Sequence, residues 1–282
     1  MESILKVSLI QMNTRDDKAE NLRMARELIV AAVEHDRPDI VSLPETWTSM
    51  TGNFDVQYGN SETIPDGEAC QMMAELAQKY GIYVHGGSIA ERSDDKCFNT
   101  TLVFNPSGKI IAQYRKIHLF DVDVPGGTSY RESDSMKAGS DVVTCDMCDT
   151  TVGLSICYDM RFPELYRALR DQGAKVIFLP AAFTMMTGKD HWEALIKARA
   201  IETQSWVVAT GQVFDHDDGN KVCYGRSIVV DPWGTVVAKA PDKVGFITAT
   251  IDPSFADAVR TKMPVMQHHR LGKTHKATPV LA

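Results

Sequence analysis

Segments with the apolar pattern of β-strands alternate with segments of helical periodicity along this chain, and the same order occurs in both halves. In the first half, strands are predicted at residues 5–12, 39–43, 82–89, 98–104 and 109–114, and helices at residues 18–34 and 68–80. In the second half, strands are predicted at residues 152–156, 175–179, 207–211, 227–231, 235–238 and 243–251, and helices at residues 162–172 and 191–202. Alternating strands and helices form sheets covered by helices, and hairpins make such sheets mixed. The sequence therefore predicts an α/β fold with two mixed sheets packed face to face and helices outside.

The composition limits the partners that this chain can have. Of its 282 residues, 44% are hydrophobic and 24% are charged, and the formal net charge is −7. Nucleic acid binding needs a basic surface, and the sequence contains no run of Lys or Arg. No apolar stretch reaches the roughly 18 residues that a membrane helix needs. We therefore expect no nucleic acid partner and no membrane partner. Because no signal-peptide pattern precedes the first strand, we also expect a cytoplasmic protein.

No linker rich in Pro, Gly or Ser separates the two halves of the chain. We therefore expect a single domain over residues 1–282. Residues 260–282 are polar, partly basic and poorly periodic, which predicts a C-terminal arm on the surface or on a partner subunit.

Six cysteines are spread over the chain, at positions 70, 97, 145, 148, 157 and 223. Cytoplasmic proteins keep their cysteines as free thiols. Cys145 and Cys148 form a CxxC pair, but a structural zinc site needs a second pair of ligands, which the sequence lacks. We expect these two thiols to lie reduced in a surface hairpin and predict no metal site.

Three reactive side chains, Glu45, Lys116 and Cys157, follow strands of the predicted sheets. Each alone has a structural explanation, as a surface acid, a solvated lysine and a core cysteine. Together they fit nucleophilic catalysis, because a thiol needs a base, and a fixed cation stabilises the oxyanion that forms when a carbonyl is attacked. The base then returns its proton to the leaving group. We expect the amides at the start of the following helix to favour the thiolate of Cys157.

Three sequence blocks resemble those of the nitrilase superfamily of carbon–nitrogen hydrolases. They are Leu43-Pro-Glu-Thr-Trp47, Tyr114-Arg-Lys-Ile-His-Leu119 and Gly153-Leu-Ser-Ile-Cys-Tyr-Asp-Met-Arg-Phe162, in the family's order. The resemblance covers nearly the whole chain. It implies Cys157 as the nucleophile, Glu45 as the general base and Lys116 as the oxyanion stabiliser. A second glutamate of the family matches Glu132, whose implied role is to orient the lysine or the substrate.

The resemblance also implies a fold, an assembly and a reaction. The implied fold is a four-layer α-β-β-α sandwich with two mixed sheets of about six strands, and the usual assembly is a homodimer or a higher homo-oligomer. The implied reaction needs no metal and no organic cofactor. Cys157 attacks an amide carbonyl, Lys116 and a backbone amide, that of Tyr158, hold the oxyanion, and ammonia leaves. Water then hydrolyses the thioester.

The sequence following Lys116 and Cys157 is most similar to the branch that contains ω-amidase and deaminated glutathione amidase. This resemblance implies a small-molecule substrate with a terminal carboxamide and a carboxylate, such as an α-keto acid. An anionic substrate needs a cation, for which Arg161 is the candidate, with an ion pair to Glu164 as the structural alternative. The other predicted pocket residues are Tyr158, Phe183 and Thr184.

Three further functions stay open from the sequence. The first is an N-carbamoyl-amine hydrolase, which also needs no cofactor, and the second is deaminated glutathione amidase, within the same branch. The third is a redox module in which Cys157 and the Cys145/Cys148 pair sense oxidants. A sensor does not need the glutamate base, so we favour the hydrolase.

Overall fold

The computed structural model describes residues 4–123, 129–216 and 222–270. Its strands are β1 (Leu5–Gln11), β2 (Ile40–Ser42), β3 (Tyr83–His85), β4 (Ile89–Arg92), β5 (Cys97–Phe104), β6 (Ile110–Arg115), β7 (Asp121–Asp123), β8 (Ser129–Arg131), β9 (Met136–Lys137), β10 (Thr144–Met147), β11 (Thr150–Leu154), β12 (Val176–Ala181), β13 (Trp206–Gly211), β14 (Val213–Asp215), β15 (Val222–Tyr224), β16 (Ile228–Val230), β17 (Val236–Lys239) and β18 (Gly245–Ile251). Its α-helices are α1 (Lys18–Asp36), α2 (Phe54–Gly59), α3 (Glu68–Tyr80), α4 (Pro163–Asp171), α5 (Met185–Thr187), α6 (Glu193–Thr203) and α7 (Pro253–Lys262). Two 3-10 turns cover Glu132–Asp134 and Cys157–Arg161, and a π-helical turn covers Gly188–Trp192.

Two large sheets hold most of the strands. Sheet I has eight strands, in the order β18-β1-β2-β3-β5-β4, with β6 and β9 also paired to β5. Sheet II has six strands, in the order β10-β11-β12-β13-β16-β17. Both sheets have parallel pairs at the centre and antiparallel pairs at the edges, so both are mixed, as predicted. Sheet I exceeds the six strands expected because the eight-residue β5 pairs with four different strands.

Helices cover the outer face of each sheet. On β1, Ile10 packs in one core with Leu76 of α3, whereas Leu9 points to the opposite face. Leu9 shares its core with Phe178 of sheet II, and Ile196 of α6 belongs to the same cluster. The layers are therefore helix, sheet, sheet and helix, and the predicted four-layer sandwich is confirmed.

The segment predicted as one strand over residues 82–89 forms two strands, β3 and β4. Gly87 lies between them with a φ of 55°. A β-carbon at Gly87 would lie 2.1 Å from the carbonyl oxygen of Pro44, so only glycine fits this close approach. The strand is interrupted here, where the chain packs against the segment that follows β2.

Helix α7 was not predicted, although its N-terminal signal is present in the sequence. Asp252 Oδ1 accepts a hydrogen bond from the backbone N of Ser254 at 3.0 Å, and Pro253 occupies the first turn. The predicted C-terminal arm from residue 260 therefore begins inside a helix. Residues 271–282 of that arm lie outside the described residues. The short helix α2 was also missed.

The CxxC pair lies in the β10–β11 hairpin, as predicted. Cys145 and Cys148 are free thiols, and both are half-buried. Cys148 and Asp149 have φ angles of 51° and 59°, the left-handed conformation that a two-residue hairpin turn requires.

Candidate active site

The candidate nucleophile lies in a tight turn after β11. Cys157 has a φ of 43°, a left-handed conformation that residues with a β-carbon rarely adopt. It begins the 3-10 turn Cys157–Arg161, so the chain bends away from the strand direction at the thiol. The residue is 8% exposed and lies at the end of sheet II.

A buried carboxylate, that of Asp159, holds this turn. Its Oδ2 accepts hydrogen bonds from the backbone N of Ile156 at 2.9 Å and from the hydroxyl of Tyr114 at 2.6 Å. Its Oδ1 accepts from the backbone N of His118 at 3.1 Å and lies 2.7 Å from the Nδ1 of that ring. Tyr114 and His118 flank Lys116, so one carboxylate joins the nucleophile turn to the segment that carries the lysine.

Glu45 follows β2 of sheet I and is 4% exposed. Its Oε2 accepts a hydrogen bond from the backbone N of Ala182 at 2.7 Å, and Ala182 follows β12 of sheet II. Its Oε1 accepts from Lys116 Nζ at 3.1 Å and from Asn99 Nδ2 at 2.9 Å. The Glu45 carboxylate therefore joins the two sheets at the candidate site.

Lys116 lies at the end of β6 between two carboxylates. Its Nζ donates to Glu132 Oε2 at 2.8 Å and to Oε1 of the same group at 3.1 Å, in addition to Glu45. Burial disfavours the ammonium, but Glu132 and Glu45 outweigh burial and raise the pKa of Lys116 well above its usual range. The lysine is therefore a fixed cation.

Glu132 lies in the 3-10 turn Glu132–Asp134 and is buried. Its Oε2 also accepts a hydrogen bond from the backbone N of Phe120 at 2.6 Å. The resemblance implies that Glu132 orients the lysine or the substrate, and the structure places it in contact with Lys116. The structure thus brings Glu45, Lys116, Glu132 and Cys157 together.

The surroundings of Cys157 act against the thiolate form. Burial raises the pKa of the thiol well above its usual range, the charge of Glu45 raises it further, and Lys116 offsets only part of this effect. This direction is opposite to the thiolate that we expected from the amides of the following helix, and the segment after the thiol is a five-residue 3-10 turn. The raised pKa means that Cys157 needs a base to act as a nucleophile.

A cavity of about 510 Å³ opens above these groups. Its volume is in the range of small-ligand sites. The four predicted substrate-binding residues all line it: Tyr158, Arg161, Phe183 and Thr184. Phe183 also packs on Trp192, with ring centroids 5.2 Å apart, so it serves both the core and the cavity wall.

Arg161 is the cation that the sequence predicted for an anionic substrate. Its Nη2 lies 3.3 Å from Nδ1 of His191, and its guanidinium lies 5.8 Å from the ring centre of Tyr158 and 5.3 Å from that of Phe183. Within the described ranges it forms no ion pair, so the alternative pair with Glu164 is absent. The charge of Arg161 is therefore available to the cavity.

Sequence reasoning missed two groups of the site, Asn99 and the backbone N of Ala182. Asn99 is fully buried in β5 and contacts both glutamates. Its backbone carbonyl accepts a hydrogen bond from the backbone N of Lys116 at 2.9 Å, a contact that follows from the pairing of β5 with β6. The position of Asn99 beside Lys116 could have been predicted only from the register of the β5–β6 hairpin.

Two kinds of feature are absent from the part of the chain that the structure describes. No cluster of three or more His, Cys, Asp or Glu side chains there could hold a metal ion. None of the helices there is both long enough and apolar enough to cross a bilayer.

Comparisons with known proteins agree with this geometry. The carbon–nitrogen hydrolase family matches residues 6–261. Omega-amidase NIT2 of Mus musculus is 38% identical over 269 residues, which are 95% of this chain and 96% of that protein. Deaminated glutathione amidase of Dictyostelium discoideum is 36% identical over 280 residues, 96% of each chain. The crystal structure of the C. elegans NitFhit protein superposes with a TM-score of 0.88 at 37% identity over 95% of this chain, which spans 65% of that longer protein. The chain therefore belongs to the carbon–nitrogen hydrolase family, within the nitrilase superfamily, and is an amidase-type hydrolase.

Proposed function

We propose that this protein hydrolyses the terminal carboxamide of a small α-keto acid, through a thioester on Cys157, and releases ammonia. The observation that carries the proposal is the cluster of Glu45, Lys116 and Glu132 around the thiol. The same cavity contains Arg161, which forms no ion pair with any residue that the structure describes. The relatives named omega-amidase and deaminated glutathione amidase support this substrate class.

The first half-reaction forms the acyl-enzyme. Glu45 takes the proton of the thiol as the sulfur attacks the carboxamide carbon. Lys116 and the backbone N of Tyr158 stabilise the oxyanion of the tetrahedral intermediate. The C–N bond then breaks, and Glu45 returns its proton to the departing nitrogen, which leaves as ammonia. The resting thiol, with its raised pKa, requires such a base.

The second half-reaction hydrolyses the thioester. Glu45 removes a proton from a water molecule, and the hydroxyl oxygen adds to the thioester carbon. The C–S bond breaks, and the proton on Glu45 returns to the sulfur. The products are a carboxylic acid and the free Cys157 thiol, so the cycle needs no redox step.

The substrate carboxylate is assigned to Arg161. The guanidinium lies four residues after Cys157 in the chain and lines the same cavity. Its planar donors fit a carboxylate, and the aromatic faces of Tyr158 and Phe183 hold it from two sides. Thr184 adds a hydroxyl at the same wall.

The cellular setting and the assembly are part of the proposal. Six free cysteines support a reducing compartment, for which we propose the cytoplasm. Exposed apolar side chains such as Trp233, 60% exposed, and Ile201, 51% exposed, support a homodimer. Light scattering of the purified protein tests the dimer, and a monomer at micromolar concentration contradicts it.

The test of the activity is an ammonia-release panel. Terminal amides of α-keto acids are compared with neutral amides and N-carbamoyl amines. We expect the α-keto amides to be preferred and Cys157→Ala to release no ammonia while it keeps the circular dichroism spectrum of the wild type. Ammonia release by Cys157→Ala contradicts the mechanism, and a preference for carbamoyl compounds contradicts the substrate.

A further inference from the structure

The side chain of Asn99 bridges the two glutamates of the site. Its Nδ2 donates to Oε1 of Glu45 at 2.9 Å and to Oε1 of Glu132 at 3.2 Å. Lys116 Nζ contacts the same two oxygens, each at 3.1 Å. Two nitrogens and two oxygens thus form a closed ring of hydrogen bonds, in which the amide and the ammonium lie between the carboxylates.

Carboxylates outnumber ammonium groups in this ring. Two carboxylates share one ammonium, and all three groups are at most 5% exposed. Carboxylates that share a buried site repel each other. An N–H group that donates to both oxygens reduces this repulsion without adding a charge.

The other side of the same amide has no partner. Asn99 is 0% exposed, and its Oδ1 has no hydrogen-bond partner within the residues that the structure describes. Rotation of the amide by half a turn would direct Oδ1 at the two carboxylates, so the ring fixes the orientation. A buried acceptor without a partner costs free energy, so stability alone does not explain an asparagine here.

We propose that Asn99 is a positioning residue that holds the carboxylates of Glu45 and Glu132 in place beside Lys116 and thereby sets the pH range in which Glu45 activates Cys157. The inference rests on the role of Glu45 in the proposed function. The titratable side chains that line the cavity around the ring and the thiol are Glu45, Lys116, Tyr130, Glu132, Tyr158, Arg161, Lys189 and Cys223. Asp159 in the Cys157 turn and Tyr166 of α4 are the buried titratable groups next to the thiol. The two acids in the cavity lining, Glu45 and Glu132, both belong to the ring, so a third acid at position 99 would act directly on it.

The test is Asn99→Asp, which keeps the shape and adds one negative charge. The readout is the rate of Cys157 alkylation by iodoacetamide as a function of pH, followed by mass spectrometry of the peptide that carries Cys157. We expect the midpoint of the rate profile to rise by about 1–2 pH units, because the added charge opposes the thiolate. At neutral pH, kcat falls about 10- to 100-fold and KM changes little.

The matched control is Gln11→Glu. Gln11 is 1% exposed, and its Nε2 also donates to two oxygens, the carbonyls of Pro241 at 2.8 Å and Lys243 at 2.9 Å. It does not line the cavity. This variant undergoes the same change from amide to acid and loses stability, but we expect its alkylation midpoint to equal that of the wild type.

A second variant combines Asn99→Asp with Glu132→Gln. This exchange of amide and acid restores the charge of the ring, so we expect the midpoint to return to within about half a pH unit of the wild type. If Asn99→Asp alone does not fold, this double variant still tests the role of Asn99.

The results separate this inference from the proposed function. An unchanged midpoint in Asn99→Asp, or a midpoint in the exchange variant that differs from the wild type by a unit or more, overturns the role of Asn99. A wild type that releases no ammonia from the amide panel overturns the proposed function, and the alkylation midpoints still decide on Asn99.

Discussion

The histidine at position 85 makes the stability of this fold depend on pH. His85 in β3 is fully buried between the two sheets, where its ring stacks on Phe178 with centroids 4.7 Å apart. Its Nδ1 lies 2.9 Å from the hydroxyl oxygen of Ser42. The Nε2 has no hydrogen-bond partner within the described ranges. Burial without a nearby acid lowers the pKa of His85 to about 3, from an ordinary value of 6.5.

The sign of the effect follows from proton binding. Between about pH 6.5 and pH 3 the unfolded chain binds a proton at His85 and the folded protein does not. Stability is therefore lost as the pH falls through this window. Each pH unit in the window corresponds to about 1.4 kcal/mol, so His85 removes about 2 kcal/mol between pH 7.5 and pH 5.

The perturbation is His85→Leu, which removes the titrating group and keeps an apolar side chain against Phe178. Ser42 keeps a partner, since its hydroxyl lies 2.8 Å from that of Thr210. Urea unfolding is measured at pH 7.5 and pH 5 for both proteins. We expect the wild type to lose about 2 kcal/mol more than the variant, or roughly 0.7 M in the urea midpoint for a slope of about 3 kcal/mol/M.

The exposed His269 supplies the control. His269→Gln changes a surface histidine, and its pH dependence should equal that of the wild type. If the wild type and His85→Leu lose the same free energy on acidification, the buried ring is not the cause, and the reasoning is refuted.

Two predictions concern the cavity and the turn beside it. Arg161→Met should raise KM for α-keto amides about 10- to 100-fold, because a charge-assisted hydrogen bond contributes roughly 1.5–3 kcal/mol. Neutral amides serve as the comparison, and an equal change for both would contradict the assignment of Arg161. Tyr114→Phe should lower kcat about 10-fold at constant KM, because Asp159 loses one donor of the link between the nucleophile turn and Lys116. Tyr166→Phe removes another buried hydroxyl, one that lies 3.0 Å from Ser155 Oγ, and a similar loss of kcat there would show that the effect is general.

Local sequence patterns were sufficient for the alternation of strands and helices and for the strand-end residues Glu45, Lys116 and Cys157. A polar residue after an apolar strand has few places to lie except the edge of a sheet. The position of Glu132 was implied by resemblance alone, and the structure places it against Lys116. The order of the four layers could be predicted because both faces of each sheet carry apolar side chains, which must be covered.

The features that escaped prediction depend on contacts between distant segments. Asn99 reaches Glu45 because β5 pairs with β6 in one particular register, which no local pattern encodes. The break at Gly87 results from its approach to Pro44 across the sheet. The direction of the pKa shift of Cys157 was not predicted, because its main cause is burial and the sequence does not show how deeply a residue is buried. By contrast, the capping signal of α7 at Asp252 was present and was overlooked.

The two sheets contribute different parts of the candidate site. Glu45, Asn99 and Lys116 lie on sheet I or at its edge, whereas Cys157 and Ala182 follow strands of sheet II. A chain with only one sheet formed would contain the base and the cation without the nucleophile, or the nucleophile alone. Ammonia release is therefore a direct report of contact between the sheets. During refolding it should appear only when the two layers are in contact.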